Sequence, residues 1–147
     1  MSNKIIELLG SHLVDKDFNS VPTAEALEGV KAIALYFSAH WCPPCRAFSN
    51  GVIGPYLKDE VDGFKVIFVS RDRSSDAMQG YMQETLQTYA VPYDSQERNS
   101  LPGTYNVRGI PTMIVLNAET GETVSNNGRM EMTNDTKGAI ANWISQC

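Results

Sequence analysis

Two stretches of the chain are almost unbroken apolar runs, Ala32–Ser38 (AIALYFS) and Phe64–Ser70 (FKVIFVS). Runs of this length without polar alternation fit strands covered on both faces. Between them, Pro43–Glu60 is long enough for a crossover helix, which makes a β-α-β unit with a parallel pair and a right-handed connection. Gly51, Gly54 and Pro55 punctuate that crossover. Because proline removes a backbone hydrogen bond, a break is expected near Gly54, with a second short helix after it. In Ser74–Tyr89, Met78, Tyr81, Met82, Thr85, Leu86 and Tyr89 recur at three- and four-residue spacing and predict one helix, with Ser74 or Ser75 as its cap. Such a Met and Tyr stripe reads as core packing. Thr112–Leu116 and Glu122–Ser125 predict an antiparallel hairpin around Asn117–Gly121. Thr133–Gln146, with Ile140, Trp143 and Ile144, predicts a closing helix. The order β-α-β-α-β-β-α gives an α/β fold, a central mixed β-sheet flanked by helices. The 147 residues hold one domain, with residues 1–30 as an N-terminal extension and residues 31–147 as the core.

Composition narrows the function classes. Hydrophobic residues make up 42% and charged residues 20%, as in a soluble globular protein. The net charge of −5, with no dense Lys/Arg block, argues against nucleic acid. No apolar run reaches membrane-spanning length, and the first residues lack a secretory pattern, so a cytoplasmic protein is expected. The cysteines are Cys42, Cys45 and Cys147, too few for a disulfide scaffold. A single C-x-x-C reads as a redox pair or as half of a metal site. With no second pair, and only His12 and His40 in the chain, no metal is expected.

Cys42 follows a buried strand and opens a helix. Helix N-termini present unpaired N–H groups and a partial positive charge, both of which favour a thiolate. Pro43 and Pro44 are tolerated there, since first-turn N–H groups have no helical partner. Cys42, at the helix mouth, is therefore expected to be exposed and to attack a substrate disulfide. Cys45, one turn in, is expected to be covered and to resolve the mixed disulfide. Pro111 cannot donate to a sheet, so Ile110–Pro111 is either a trans strand start or a cis turn beside the site; the cis form would offer the Ile110 backbone to an extended substrate.

The segment Tyr36-Phe37-Ser38-Ala39-His40-Trp41-Cys42-Pro43-Pro44-Cys45-Arg46 resembles the tryparedoxin and nucleoredoxin branch of the thioredoxin superfamily. Val69–Asp72, Ala90–Tyr93, Gly109–Thr112 and Leu116–Gly121 resemble it too, in order, across roughly Thr23 to Asp135. The resemblance implies a thioredoxin-like fold, dithiol exchange, and a cis Pro111 facing the cysteines. It implies no cofactor beyond the redox-active Cys42–Cys45 disulfide. The implied substrates are protein disulfides, such as those of peroxiredoxins or ribonucleotide reductase. The implied electron donor is a reductase or a low-molecular-weight dithiol such as trypanothione, and the chain is expected to be a monomer. Tyr36 stands where ordinary thioredoxins carry a buried Asp; it is either a core tyrosine or the holder of a water near Cys45. Arg71 stands where relatives have Trp and is expected near the site, as is Arg129, which matches a basic residue that greets anionic substrates. Trp41 is expected to cover Cys42. His40 is either a donor to the thiolate or a spectator, and Cys147 an unpartnered thiol. The rival to a reductase is a redox-dependent binding module with little turnover.

Overall fold

In the computed structural model, which describes residues 3–147, the two apolar runs form adjacent central strands. The elements run α1 (Asn3–Leu9), β1 (His12–Val14), β2 (Ser20–Pro22), α2 (Thr23–Ala26), β3 (Ala32–Ser38) and α3 (Pro43–Phe48). A π-helical turn over Ser49–Ile53 leads into α4 (Gly54–Lys58), β4 (Phe64–Ser70), α5 (Ser75–Glu84) and β5 (Tyr89–Ala90). The chain closes with α6 (Gln96–Thr104), β6 (Thr112–Asn117), β7 (Thr123–Ser125), α7 (Gly128–Asn134) and α8 (Thr136–Ser145). The strands form one mixed sheet in the order β2-β1-β5-β4-β3-β6-β7.

Alternation along β3 sends Ala32, Ala34 and Tyr36 into one apolar cluster and Ile33, Leu35 and Phe37 into another. These are the two faces of a strand of period two, and every residue of β3 is buried. The first cluster packs Phe48, Phe64, Phe68, Met78, Tyr81, Met82 and Trp143; the second packs Ile5, Leu9, Leu13, Leu101 and Leu116. Among the described residues no helix is long and apolar enough to cross a membrane.

Four elements differ from the sequence reading. Residues 3–30 are not a bare appendage, because β1 pairs with β5 through Val14 and Ala90, and Ile5, Leu9 and Leu13 are fully buried. Ser74 does cap α5, accepting from the Ala77 N–H, but the helix stops at Glu84. Tyr89 leaves the helical stripe to pair with Ile67 of β4, where sheet hydrogen bonds outcompete helical periodicity. The closing helix is two, since Asp135 is extended (φ −159°, ψ 91°) and its side chain caps α8 at Gly138 N, 3.0 Å away. Helix α6 was not foreseen: its sequence is polar and contains Pro102, leaving no apolar period to read. The expected irregularity of the crossover is present as the π-helical turn, and Pro55 sits harmlessly in the first turn of α4.

Candidate active site

Three segments emerge together at one edge of the sheet because β3 and β4 are parallel and β6 runs against them. Ser38 pairs with Ser70 and Phe37 with Thr112, so residues 39–42, 71–73 and 109–111 converge. Cys42 is the residue just before α3, with extended backbone (φ −99°, ψ 109°), and Pro43 and Pro44 follow in the first turn. The Ile110–Pro111 bond is cis, and the Cys42 Sγ lies 3.8 Å from the Ile110 carbonyl oxygen. Both cysteines are free thiols. Their contrast in exposure is smaller than expected: Cys42 is 5% exposed and Cys45 is 0%. Burial, and next the hydrogen bond to Cys42, push the Cys45 thiol from its ordinary 9.0 up to about 12, against hydrogen bonds from the Ala39 backbone and the Ser38 hydroxyl.

The loop carrying Cys42 is tied down on both sides. Asp72 is a nearly buried carboxylate, 4% exposed. Its Oδ1 accepts the His40 N–H at 2.8 Å, and its Oδ2 accepts the Ser70 hydroxyl at 2.7 Å. Hydrogen bonds to a charged acceptor contribute about 1.5–3 kcal/mol each, which makes this a firm clamp. Arg46 Nη1 donates to the His40 carbonyl at 3.0 Å, and Trp41 Nε1 donates to the Arg71 carbonyl at 3.1 Å. The far loop is held in turn by Tyr93, whose hydroxyl donates to Asp72 O, and by Arg98, which donates to the Tyr93 and Ser70 carbonyls.

Tyr36 sits behind Cys45. Its hydroxyl donates to the Cys45 carbonyl at 3.2 Å and lies 2.8 Å from Ser49 Oγ. Ser49 Oγ lies 2.5 Å from the Tyr81 hydroxyl, which lies 2.9 Å from Ser38 Oγ. Burial pushes both tyrosines above their ordinary value, so both hydroxyls keep their protons. Trp41 is 46% exposed, and the Arg73 guanidinium stacks on its ring at 4.8 Å. The Arg71 side chain is exposed, and its backbone carbonyl accepts from Trp41 Nε1. Arg129 and Met130, which is 59% exposed, line a groove of about 570 Å³ that reaches Pro111. His40 packs edge-on against Tyr81 with centroids 5.4 Å apart, and its Nε2 lies 3.6 Å from Glu84. Cys147 donates to the Trp143 carbonyl at 3.3 Å, and partial burial raises its thiol.

Ser38, Ser49, Tyr81, Asp72 and Arg73 are therefore neighbours of the site that sequence reasoning missed. Tyr81 was absorbed into the Met and Tyr stripe of α5. Ser38 had a readable signal, since it continues the even-numbered face of β3 that carries Tyr36. Among the described residues no group of three or more His, Cys, Asp or Glu could hold a metal ion.

Comparison with known proteins agrees with this geometry. A family profile described as "Thioredoxin-like" matches residues 29–123. Nucleoredoxin from Bos taurus is 40% identical over 132 residues, covering 88% of this chain and 29% of its own length. The chain thus spans under a third of the nucleoredoxins it matches. Tryparedoxin from Trypanosoma brucei brucei is 36% identical over 115 residues, 77% of this chain and 79% of that protein. Among solved structures, a thioredoxin from Wuchereria bancrofti is 33% identical with a TM-score of 0.80, covering 95% of this chain and 98% of the other.

Proposed function

The chain belongs to the thioredoxin-like family, with nucleoredoxin and tryparedoxin relatives, and on that footing we propose that it reduces protein disulfides by dithiol exchange through Cys42 and Cys45. The observation that carries this reading is the pair of free thiols at the start of α3, with the Cys42 sulfur turned toward the Ile110 carbonyl. In the proposed cycle the Cys42 thiolate attacks one sulfur of a substrate disulfide. The substrate S–S bond breaks, and its other sulfur leaves with the electron pair and takes up a proton. Cys45 then gives up its proton and attacks the Cys42 sulfur. The Cys42–Cys45 disulfide forms, and the substrate departs as a dithiol, reduced by two electrons.

In this reading Ile110 offers its backbone to an extended substrate segment, while Trp41, Met130 and Arg129 form the rim that meets the partner. The substrates are protein disulfides of the peroxiredoxin kind. The disulfide is returned to the dithiol by a reductase or a low-molecular-weight dithiol, and the protein works as a cytoplasmic monomer. Reduction of insulin disulfides with dithiothreitol as donor tests the proposal. Turnover that is lost in Cys42→Ser supports it. No turnover, together with stable mixed disulfides on partner proteins, favours a redox-dependent binding module instead.

A further inference from the structure

We infer that Arg73, stacked on Trp41, is a specificity residue that selects disulfide partners carrying an acidic side chain beside the reactive cysteine. This deepens the dithiol reading above and rests on it. The chain as a whole is acidic, with a net charge of −5. Yet Arg71, Arg73 and Arg129 are all exposed on the segments that border Cys42 and Pro111. The ion pairs among the described residues are Lys16–Asp17, His40–Glu84 and Lys65–Glu60, so none of these arginines is matched by a carboxylate of its own protein. Asp72, between Arg71 and Arg73, is 4% exposed, and its two oxygens accept from the His40 N–H and the Ser70 hydroxyl. Unpaired cations at the reactive edge of an acidic protein attract anions there and repel cations.

Arg73 differs from Arg71 and Arg129 in being held. Its guanidinium carbon lies 4.8 Å from the centre of the Trp41 ring. The ring is itself fixed, since Trp41 Nε1 donates to the Arg71 carbonyl at 3.1 Å. The segment that carries both arginines is pinned as well. The Arg71 N–H donates to the Ser38 carbonyl at 2.8 Å, the Asp72 N–H to Ser70 Oγ at 2.9 Å, and the Tyr93 hydroxyl to the Asp72 carbonyl at 3.1 Å. Stacking occupies a face of the guanidinium and leaves the N–H donors in its plane for a carboxylate. Because the side chain is already ordered, binding removes less rotamer freedom than at a free arginine. Trp41 directly precedes Cys42, so a partner cysteine bonded to Cys42 carries its neighbouring side chains past Arg73. A carboxylate next to that cysteine pairs with the guanidinium fork, and a lysine there is repelled. The exchange itself is the one described above: two electrons pass from the Cys42–Cys45 dithiol to the partner disulfide, which departs as two thiols.

Disulfide-linked dimers of three end-blocked peptides, Glu-Cys-Glu, Gln-Cys-Gln and Lys-Cys-Lys, test the preference. The second-order rate at which each oxidises the reduced protein is measured by acid quench and mass spectrometry. The wild type should react fastest with the Glu peptide and slowest with the Lys peptide. That order runs against intrinsic reactivity, since flanking lysines lower the thiol pKa and improve the leaving group. In Arg73→Gln the ratio of the Glu rate to the Gln rate should fall about threefold, the size of one exposed ion pair. In Arg73→Glu it should fall about tenfold, as attraction gives way to repulsion of similar size. A ratio taken at one pH divides out any change in Cys42 reactivity. Both effects should shrink in about 1 M NaCl, where the screening length is about 3 Å. Arg71→Gln removes a charge that is likewise exposed, and it should lower the ratio less. A wild-type order with the Lys peptide fastest, or a Glu-to-Gln ratio untouched by Arg73→Gln, overturns the proposal. So does an equal effect of Arg71→Gln, which would make the preference a diffuse field rather than the property of one stacked side chain. No oxidation by any of the three peptides would instead remove the dithiol reading, and the preference with it.

Discussion

At the scale of single residues, Cys42 and Cys45 differ less in burial than in what surrounds them. Cys42 lies at the strand–helix junction against the Ile110 carbonyl, whereas Cys45 is fully buried and its carbonyl accepts from the Tyr36 hydroxyl. Iodoacetamide at neutral pH is expected to modify Cys42 of the reduced protein first, as peptide mapping will report, and Cys45→Ser should still form stable mixed disulfides. Faster labelling of Cys45 would reverse the assignment of roles. The high Cys45 value also makes stability depend on pH. Its folded value, about 12, lies above its ordinary 9.0. Above pH 9 the unfolded chain therefore releases a proton that the folded chain keeps, so stability is full below about pH 9 and falls as pH rises toward 12. Buried Tyr36, Tyr56 and Tyr81 act in the same direction at higher pH, so the Cys45 part is read as a difference. Denaturant unfolding of the reduced protein between pH 8 and 10.5 should lose stability faster than Cys45→Ser does. Parallel curves would show that Cys45 ionises normally in the folded state.

At the scale of elements, the edge of the sheet is held to the helices by close approaches that leave no spare volume. Gly128 opens α7 against β6, and a Cβ there would lie 2.8 Å from Met113 Cγ and 3.0 Å from the Met113 carbonyl oxygen. Met113 is the cross-strand partner of Tyr36 and the second residue after Pro111. Since the obstacle includes backbone, relief requires β6 or α7 to move. Gly128→Ala should cost about 1–3 kcal/mol, as overpacked cores do, lowering the melting temperature by about 2–4 °C per kcal/mol for a chain of this size. A melting temperature at or above that of the wild type would show that the helix start yields freely.

At the scale of the whole molecule, residues 3–30 complete the second face of the sheet. Leu13 is fully buried with Ile5, Leu9 and Leu27, in the cluster that also holds Phe37 and Leu101. Leu13→Ala should therefore cost about 2–5 kcal/mol, the range for truncating a buried leucine. Chemical denaturation by urea would show it as a lower midpoint with an unchanged slope. A loss under about 0.5 kcal/mol, the level of an exposed site, would mean that β1 and α1 are loosely attached.

The bounds of β3 and β4, their parallel pairing, and the cysteine pair between strand and helix were all legible in the amino-acid order. Buried strands advertise themselves as continuous apolar runs, and a helix mouth is a local feature of the chain. The cis Ile110–Pro111 turn was legible through resemblance rather than through physics, because propensity alone favours trans. The tertiary structure alone decided which polar side chains join Tyr36 behind Cys45. Ser38, Ser49 and Tyr81 lie on three different elements, separated by as many as 43 positions, and meet only because β3, the α3 crossover and α5 pack on the same face of the sheet. The same holds for Asp72, whose carboxylate reaches back 32 residues to the His40 N–H across the end of a parallel strand pair. A sequence pattern records which face a side chain takes within its own element. Contacts across elements depend on register and packing depth, and those are set by the core as a whole.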